Sequence, residues 1–226
     1  MAGRFVAALC VLALPLAAGG RQAIDPGWSS SFDAERPFLT STGVNPYFNL
    51  TPGHRLELAG GDTRLVITVL DQTAVVDGVE TRVVGERETE NGDLVEVSRN
   101  FFAISTRTNA VFYFGEDVDI YRGGRVTGHE GAWRAGREGA RFGLMMPGLP
   151  LVGAKYHQEV APGVALDRAE VAALDETVRT PAGTFDGVLK IAETTPLEPG
   201  AREFKFYARD VGLIQDGELT LLRSDR

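Results

Sequence analysis

Hydrophobic and polar positions alternate along most of this chain, and the alternation is that of strands. His54 to Leu58 alternates, Gly60-Gly61-Asp62 turns, and Thr63 to Leu70 is a β-branched run. Asp77-Gly78 marks a turn before Val79 to Val84, where Val79, Thr81 and Val83 share one face. Asn91-Gly92 is the strongest hairpin signal, because both central residues of a type I′ turn need φ > 0. Val95, Val97, Phe101 and Ala103 follow, and then Val111 to Phe114. Ile120-Tyr121 and Arg125-Val126 flank Gly123-Gly124, and Tyr156 to Val160 resumes after the Pro147-Gly148-Leu149-Pro150 loop.

The most legible stretch runs from Asp175 to Gln215. Pro181-Ala182-Gly183-Thr184 joins a fixed φ to a residue free to take φ > 0, so it is a turn. Phe185, Val188, Leu189 and Ile191 carry a strand outward, and Phe204, Phe206 and Tyr207 return it after the Pro196–Gly200 loop. Asp210-Val211-Gly212 bends the chain again before Leu213-Ile214, and Asp216-Gly217 turns it into Leu219 to Leu222. Ala165 to Val178 has the composition of a helix but lacks apolar partners at three- and four-residue spacing. A strand is therefore expected over Glu170 to Arg179. The expected fold is all-β: an antiparallel meander of about a dozen short strands forming a curved sheet, half-barrel or barrel.

Three segments divide the chain. Arg4 followed by the apolar run Phe5 to Ala18 and the small residues Ala17 to Gly20 reads as a signal peptide over residues 1–20, its alternative being an uncleaved anchor. Residues 21–44 hold no period and are expected as a flexible leader whose aromatics, Trp28, Phe32 and Phe38, dock on the domain. Residues 45–226 form one β domain, opened by Asn45-Pro46-Tyr47-Phe48 and Thr51-Pro52-Gly53. A periplasmic or extracellular location follows. Cys10 lies within the apolar run, so the processed chain has no thiol for a disulfide, a thiolate metal site or a nucleophile.

Composition narrows the partners. The 226 residues are 43% hydrophobic and 24% charged, ordinary for a folded domain, and the 27 glycines suit a turn-rich fold. A net charge of −8 repels a phosphate backbone, which argues against nucleic acid.

Asn45-Pro46-Tyr47-Phe48 with Thr51-Pro52-Gly53, Phe114-Gly115-Glu116-Asp117, Ala161-Pro162-Gly163-Val164, Pro181 to Phe185 and Val211 to Ile214 occur in this order. Together they resemble a family of uncharacterised secreted bacterial β-sheet proteins, over nearly the whole of 45–215. The Pro181 hairpin and the Val211 bend also resemble parts of periplasmic half-barrel proteins that handle lipids or lipoproteins. The resemblance implies a fold and carries over no catalytic residue.

The candidate chemistry is sparse. Glu116, Asp117 and Asp119, with Glu130 a short hairpin away, offer oxygen ligands for Ca²⁺ without the spacing of an EF-hand, and no bound cofactor is otherwise expected. His54, His129 and His157 are the only histidines, and no pair has the helical two-histidine spacing of a metalloprotease. Strand alternation would place His157 and Glu159 on one face, opposite Tyr156 and Gln158. No nucleophile elbow or phosphate-cradling loop occurs. Of the aromatic and methionine set, Trp133, Phe142, Met145 and Met146 are candidates to line the mouth of a ligand site. The apolar loop from Met146 to Pro150 suggests a lid or a contact patch. Three function classes remain: a non-catalytic exported domain binding an amphipathic molecule or an envelope protein, a metal- or carboxylate-dependent hydrolase, and a structural subunit of an envelope assembly.

Overall fold

The computed structural model describes residues 27–225, so the signal-peptide reading and residues 21–26 of the leader lie outside the described residues. A 3₁₀ helix, Asp33–Phe38, precedes the short strands β1 (Leu39–Thr40), β2 (Val44–Asn45) and β3 (Phe48–Asn49). The long meander follows: β4 (Arg55–Gly60), β5 (Thr63–Val76), β6 (Val79–Glu90), β7 (Asp93–Ser105) and β8 (Val111–Arg122). Shorter pieces come next: β9 (Arg125–Gly128), β10 (Trp133–Arg134), β11 (Arg141–Met146), β12 (Lys155–His157) and β13 (Glu159–Val160). The chain ends with β14 (Arg168–Thr180), β15 (Gly183–Thr194), β16 (Glu203–Ala208), β17 (Gly212–Asp216) and β18 (Leu219–Asp225). The strand expected over Glu170 to Arg179 is thus part of β14.

β2 and β3 pair separately, and the other sixteen described strands form one antiparallel sheet nearly closed into a barrel. Its order is β12-β14-β15-β16-β17-β18-β4-β5-β6-β7-β8-β11-β13. The two ends of that path, β12 and β13, are separated in the chain by the single residue Gln158. One stretch of chain thus pairs with β14 through its first half and with β11 through its second. This seam is covered by the leader: Ser29 N–H donates to the Lys155 carbonyl at 3.0 Å, and His157 N–H donates to the Ser29 carbonyl at 2.8 Å. Asn91 and Gly92 have φ of +52° and +87°, as the hairpin signal requires.

Residues 27–44 dock as their aromatics suggest. Phe32 meets Phe112 on the outer face of β8, Phe112 packs edge-on to Phe142, and Phe142 stacks on Phe114 at 4.7 Å. β1 pairs with β7. The leader therefore covers phenylalanines that the barrel wall presents outward, and burying each stabilises by about 1.5–3 kcal/mol. Among the described residues no helix is long and apolar enough to cross a membrane.

Candidate functional site

The barrel encloses a cavity of about 80 Å³. Leu56, Ile67, Val69, Val84, Phe102 and Met145 contribute apolar wall, and Glu86, Asn100, Glu159, Glu193, Lys205 and Asp216 contribute polar wall. Strand register orders them along the barrel. Val69 N–H donates to the His54 carbonyl and Val69 lies opposite Val84, whereas Ile67 and Glu86, two residues further along, form the next level. On the far wall Tyr207 lies opposite Leu213 near the bend, and Lys205 lies opposite Asp216 one level deeper. The His54 end is the mouth: Phe48, Asn49, His54 and Gly212 line both the cavity and an adjoining surface groove of about 490 Å³.

The mouth is spanned by the small β2–β3 hairpin. Asn45 pins it, with Nδ2 donating to the carbonyls of Asn109 (2.8 Å) and Pro147 (3.0 Å) and Oδ1 accepting from Tyr47 N–H (2.8 Å). Asp210 N–H donates to the Pro46 carbonyl at 2.7 Å, and Phe48 packs edge-on against Phe102 at 4.9 Å. The Asn45-Pro46-Tyr47-Phe48 signature thus builds the cover of the cavity.

Carboxyl groups crowd the deeper levels. Cross-strand partners share a face, so Glu86 opposite Ser98, Glu88 opposite Glu96 and Glu116 opposite Asn100 all project inward. Lys205 bridges Glu193 at 2.9 Å and Asp216 at 3.7 Å, and Gln158 Nε2 donates to Glu193 at 2.8 Å. Burial pushes the Glu86 carboxyl up to about 7; Lys205 opposes the shift, and Glu96 and Asp216 reinforce it. Glu86 keeps accessible surface at its place on the cavity wall, although protein surrounds it on all sides. Burial likewise raises Asp216 and Glu88 to about 7 and Asp167 to about 6. Glu116 and Glu159 are driven well above the carboxylate range, by burial first and then by neighbouring acids. For Lys205, burial acts downward, but Asp216 and Glu193 outweigh it and keep the ammonium charged. One oxygen each of Glu88, Glu116, Glu159 and Asp216 has no protein hydrogen-bond partner.

The residues expected from sequence separate. Glu116 is buried, whereas Asp117 takes Arg134 at 2.7 Å, Asp119 takes His129 at 3.0 Å, and Glu130 is exposed beyond β9. The proposed calcium set therefore does not converge, and among the described residues no group of three His, Cys, Asp or Glu is placed to hold a metal. The cause is a bulge: Asn100 opposes Glu116 but Phe102 opposes Tyr113, so β8 carries an extra residue there, with Gly115 at φ +115°. Tyr113 faces the cavity; the extra residue resets the alternation and turns Glu116 inward and Asp117 outward.

Of the ligand set, only Met145 lines the cavity. Phe142 and Met146 are packed in the core, and Trp133 lies edge-on to Tyr113 beside a separate surface pocket shared with Glu116 and Arg134. The histidines lie apart: His54 at the mouth with Nε2 2.9 Å from the Val211 carbonyl, His129 on the outer surface, His157 under Trp28. The expected alternation of His157 and Glu159 against Gln158 fails. Gln158 and Glu159 both line the cavity, because the strand changes partner between them. Beyond Pro150, Leu151 and Val152 join Leu149 as exposed apolar residues of the β11–β12 loop.

Sequence reasoning missed Glu86, Glu88, Glu96, Glu193, Lys205 and Asp216. The readable signal was Val84, Glu86 and Glu88 in period 2, a charged continuation of an apolar face.

The chain matches no protein-family model, no curated protein and no solved structure.

Proposed function

We propose that this protein is an exported, non-catalytic binding barrel that takes one end of an amphipathic small molecule into its interior. The observation that carries the reading is the cavity itself: apolar walls near the mouth, and deeper polar groups that still have unsatisfied oxygens. A site of this make-up orients a ligand through a few polar groups while apolar contacts supply affinity. Its volume is about 80 Å³, roughly half that of an apolar cavity that holds benzene. It therefore takes a head group and the first few carbons, with the rest of the chain running past Phe48 and His54 into the outer groove. Export is supported by the N-terminal apolar run and by the resemblance to secreted bacterial proteins.

Thermal denaturation with a panel of short amphiphiles tests this reading. A ligand at about a hundred times its dissociation constant stabilises by about 2.7 kcal/mol, a rise of roughly 5–11 °C for a domain of this size. Val84→Trp should fill the cavity and remove the shift while the β-sheet circular dichroism spectrum stays unchanged. A panel without effect, or a shift that survives Val84→Trp, would overturn the proposal.

A further inference from the structure

We infer that the head group this cavity accepts is cationic, an ammonium or similar organic cation carried on a short apolar chain. The inference rests on the binding role proposed above and specifies the ligand of that same site.

Four carboxyl groups from four strands line the cavity: Glu86 on β6, Glu159 on β13, Glu193 on β15 and Asp216 on β17. Lys205 on β16 is the one ammonium among the cavity-lining residues, and Glu193 and Asp216 already engage it. Glu159 is 1% exposed and Asp216 4%, and each keeps one oxygen without a protein partner on the cavity wall. A buried carboxyl oxygen left unpaired costs about 1–3 kcal/mol, and once the acid is ionised that oxygen can only accept, so it favours a donor from the ligand.

The surroundings add to the deficit of positive charge. Glu88 on β6, Glu96 on β7, Glu116 on β8, Asp167 ahead of β14 and Glu203 on β16 act on the same group of carboxyls, and none brings a cation. The remaining titratable neighbours are Tyr113, Tyr156 and Tyr207, which burial keeps neutral, and Tyr47 and His54 toward the mouth. A carboxylate or phosphate head would meet carboxyls on several sides and find Lys205 engaged. An ammonium head would donate to Glu159 and Asp216 and supply the missing charge.

Proton linkage gives the inference a second signature. Without a cation, Glu86 and Asp216 hold their protons up to about 7. A cationic head favours their ionised forms, so binding should release protons and tighten as pH rises through about 7.

The test compares octylammonium, octanol and octanoate by isothermal titration calorimetry on the folded protein. Chain length is matched, and an alkylammonium stays charged across the range used, as a lysine side chain does. Octylammonium should bind tightest at about pH 8, release protons, and weaken about tenfold or more at about pH 5.5, equivalent to about one unit of linked pKa shift. Glu159→Gln should weaken octylammonium about tenfold and leave octanol unchanged, with Glu86→Gln as the second variant should the first fail to fold. Tighter binding of octanoate, a pH-independent octylammonium affinity, or equal losses for octanol in the variants would overturn the cationic head and leave the binding barrel standing. No binding by any of the three would remove both.

Discussion

The two faces of β8 carry the same kind of residue to opposite ends. On the outer face Asp117 receives the Arg134 guanidinium through Nη2 at 2.8 and 2.7 Å, with Arg99 3.8 Å away, and Asp119 receives His129. On the inner face, one residue earlier, Glu116 looks toward Glu86, Glu96 and Asp167. An acid with little accessible surface can still be held ionised on the outside of the barrel. Burial pushes the Glu57 carboxyl up, but Arg223, Arg55 and Arg64 outweigh it and keep it below the usual range. The two populations differ both in depth and in the supply of cations. Asp117 and Glu57 on the outside are answered by arginines; the inward acids are left with one shared lysine.

Removing that lysine should have the largest effect. Lys205→Met is expected to cost about 3–5 kcal/mol in urea denaturation at about pH 8, because it strands the charges of Glu193 and Asp216 in the interior. The loss should shrink at about pH 5.5, where Asp216 is protonated. An equal loss at both pH values would show that Lys205 acts through packing rather than charge.

The bulge that sorts the two faces comes next. Gly115 sits at φ +115°, and a Cβ there would collide with the backbone oxygen of Trp133. Gly115→Ala should therefore cost about 2–4 kcal/mol by chemical denaturation. An unchanged midpoint would mean that β8 tolerates the other alternation.

The pH profile of the intact chain sharpens the contrast further. Glu86 and Asp216 are raised from 4.5 and 3.8 to about 7, so the native state binds more protons than the unfolded chain between those limits. Their contribution is fully present below about pH 4 and is lost as pH rises through about 7, a decline of several kcal/mol at about 1.4 kcal/mol for each pH unit by which each group is raised. A melting temperature that climbs from about pH 5 to about pH 8 would contradict the interior described here.

The smallest effect belongs to the outer face. Asp117→Asn should change stability by no more than about 1 kcal/mol, and added salt should reduce the difference. A larger, salt-insensitive loss would place Asp117 among the structural core of the molecule.

Much of the sheet was legible because hairpins announce themselves locally, through Asp77-Gly78, Asn91-Gly92 and Gly123-Gly124, all with positive φ. β14 was legible for a different reason, the absence of a helical stripe. The site was not, and the causes are specific. Its carboxyls come from strands as distant in sequence as β6 and β17, and only register makes them neighbours. Alternation also misleads where a strand is irregular: at Gly115, where a bulge reverses inward and outward, and at Gln158, where the strand changes partner. A glycine inside a strand is a readable hint of a bulge, and Gly115 offered it. Nothing local marks Gln158.

The seam at residues 155–160 also bears on how the molecule assembles. Every other major hairpin forms between neighbours in the chain, but closure needs β18 to reach β4, where Arg223 meets Glu57 across 166 residues. Such long-range pairing slows folding, because chain entropy is lost before the contacts form. The 155–160 stretch joins two walls through short pairings, and at its centre one backbone acceptor, the Asp167 carbonyl, takes the N–H groups of both Gln158 (2.8 Å) and Glu159 (3.2 Å). Its short pairings lead to the expectation that its amides exchange with deuterium sooner than those of β5 to β7. Trp28, packed edge-on to His157 with Arg168 over its ring, then acts as a clasp on that seam.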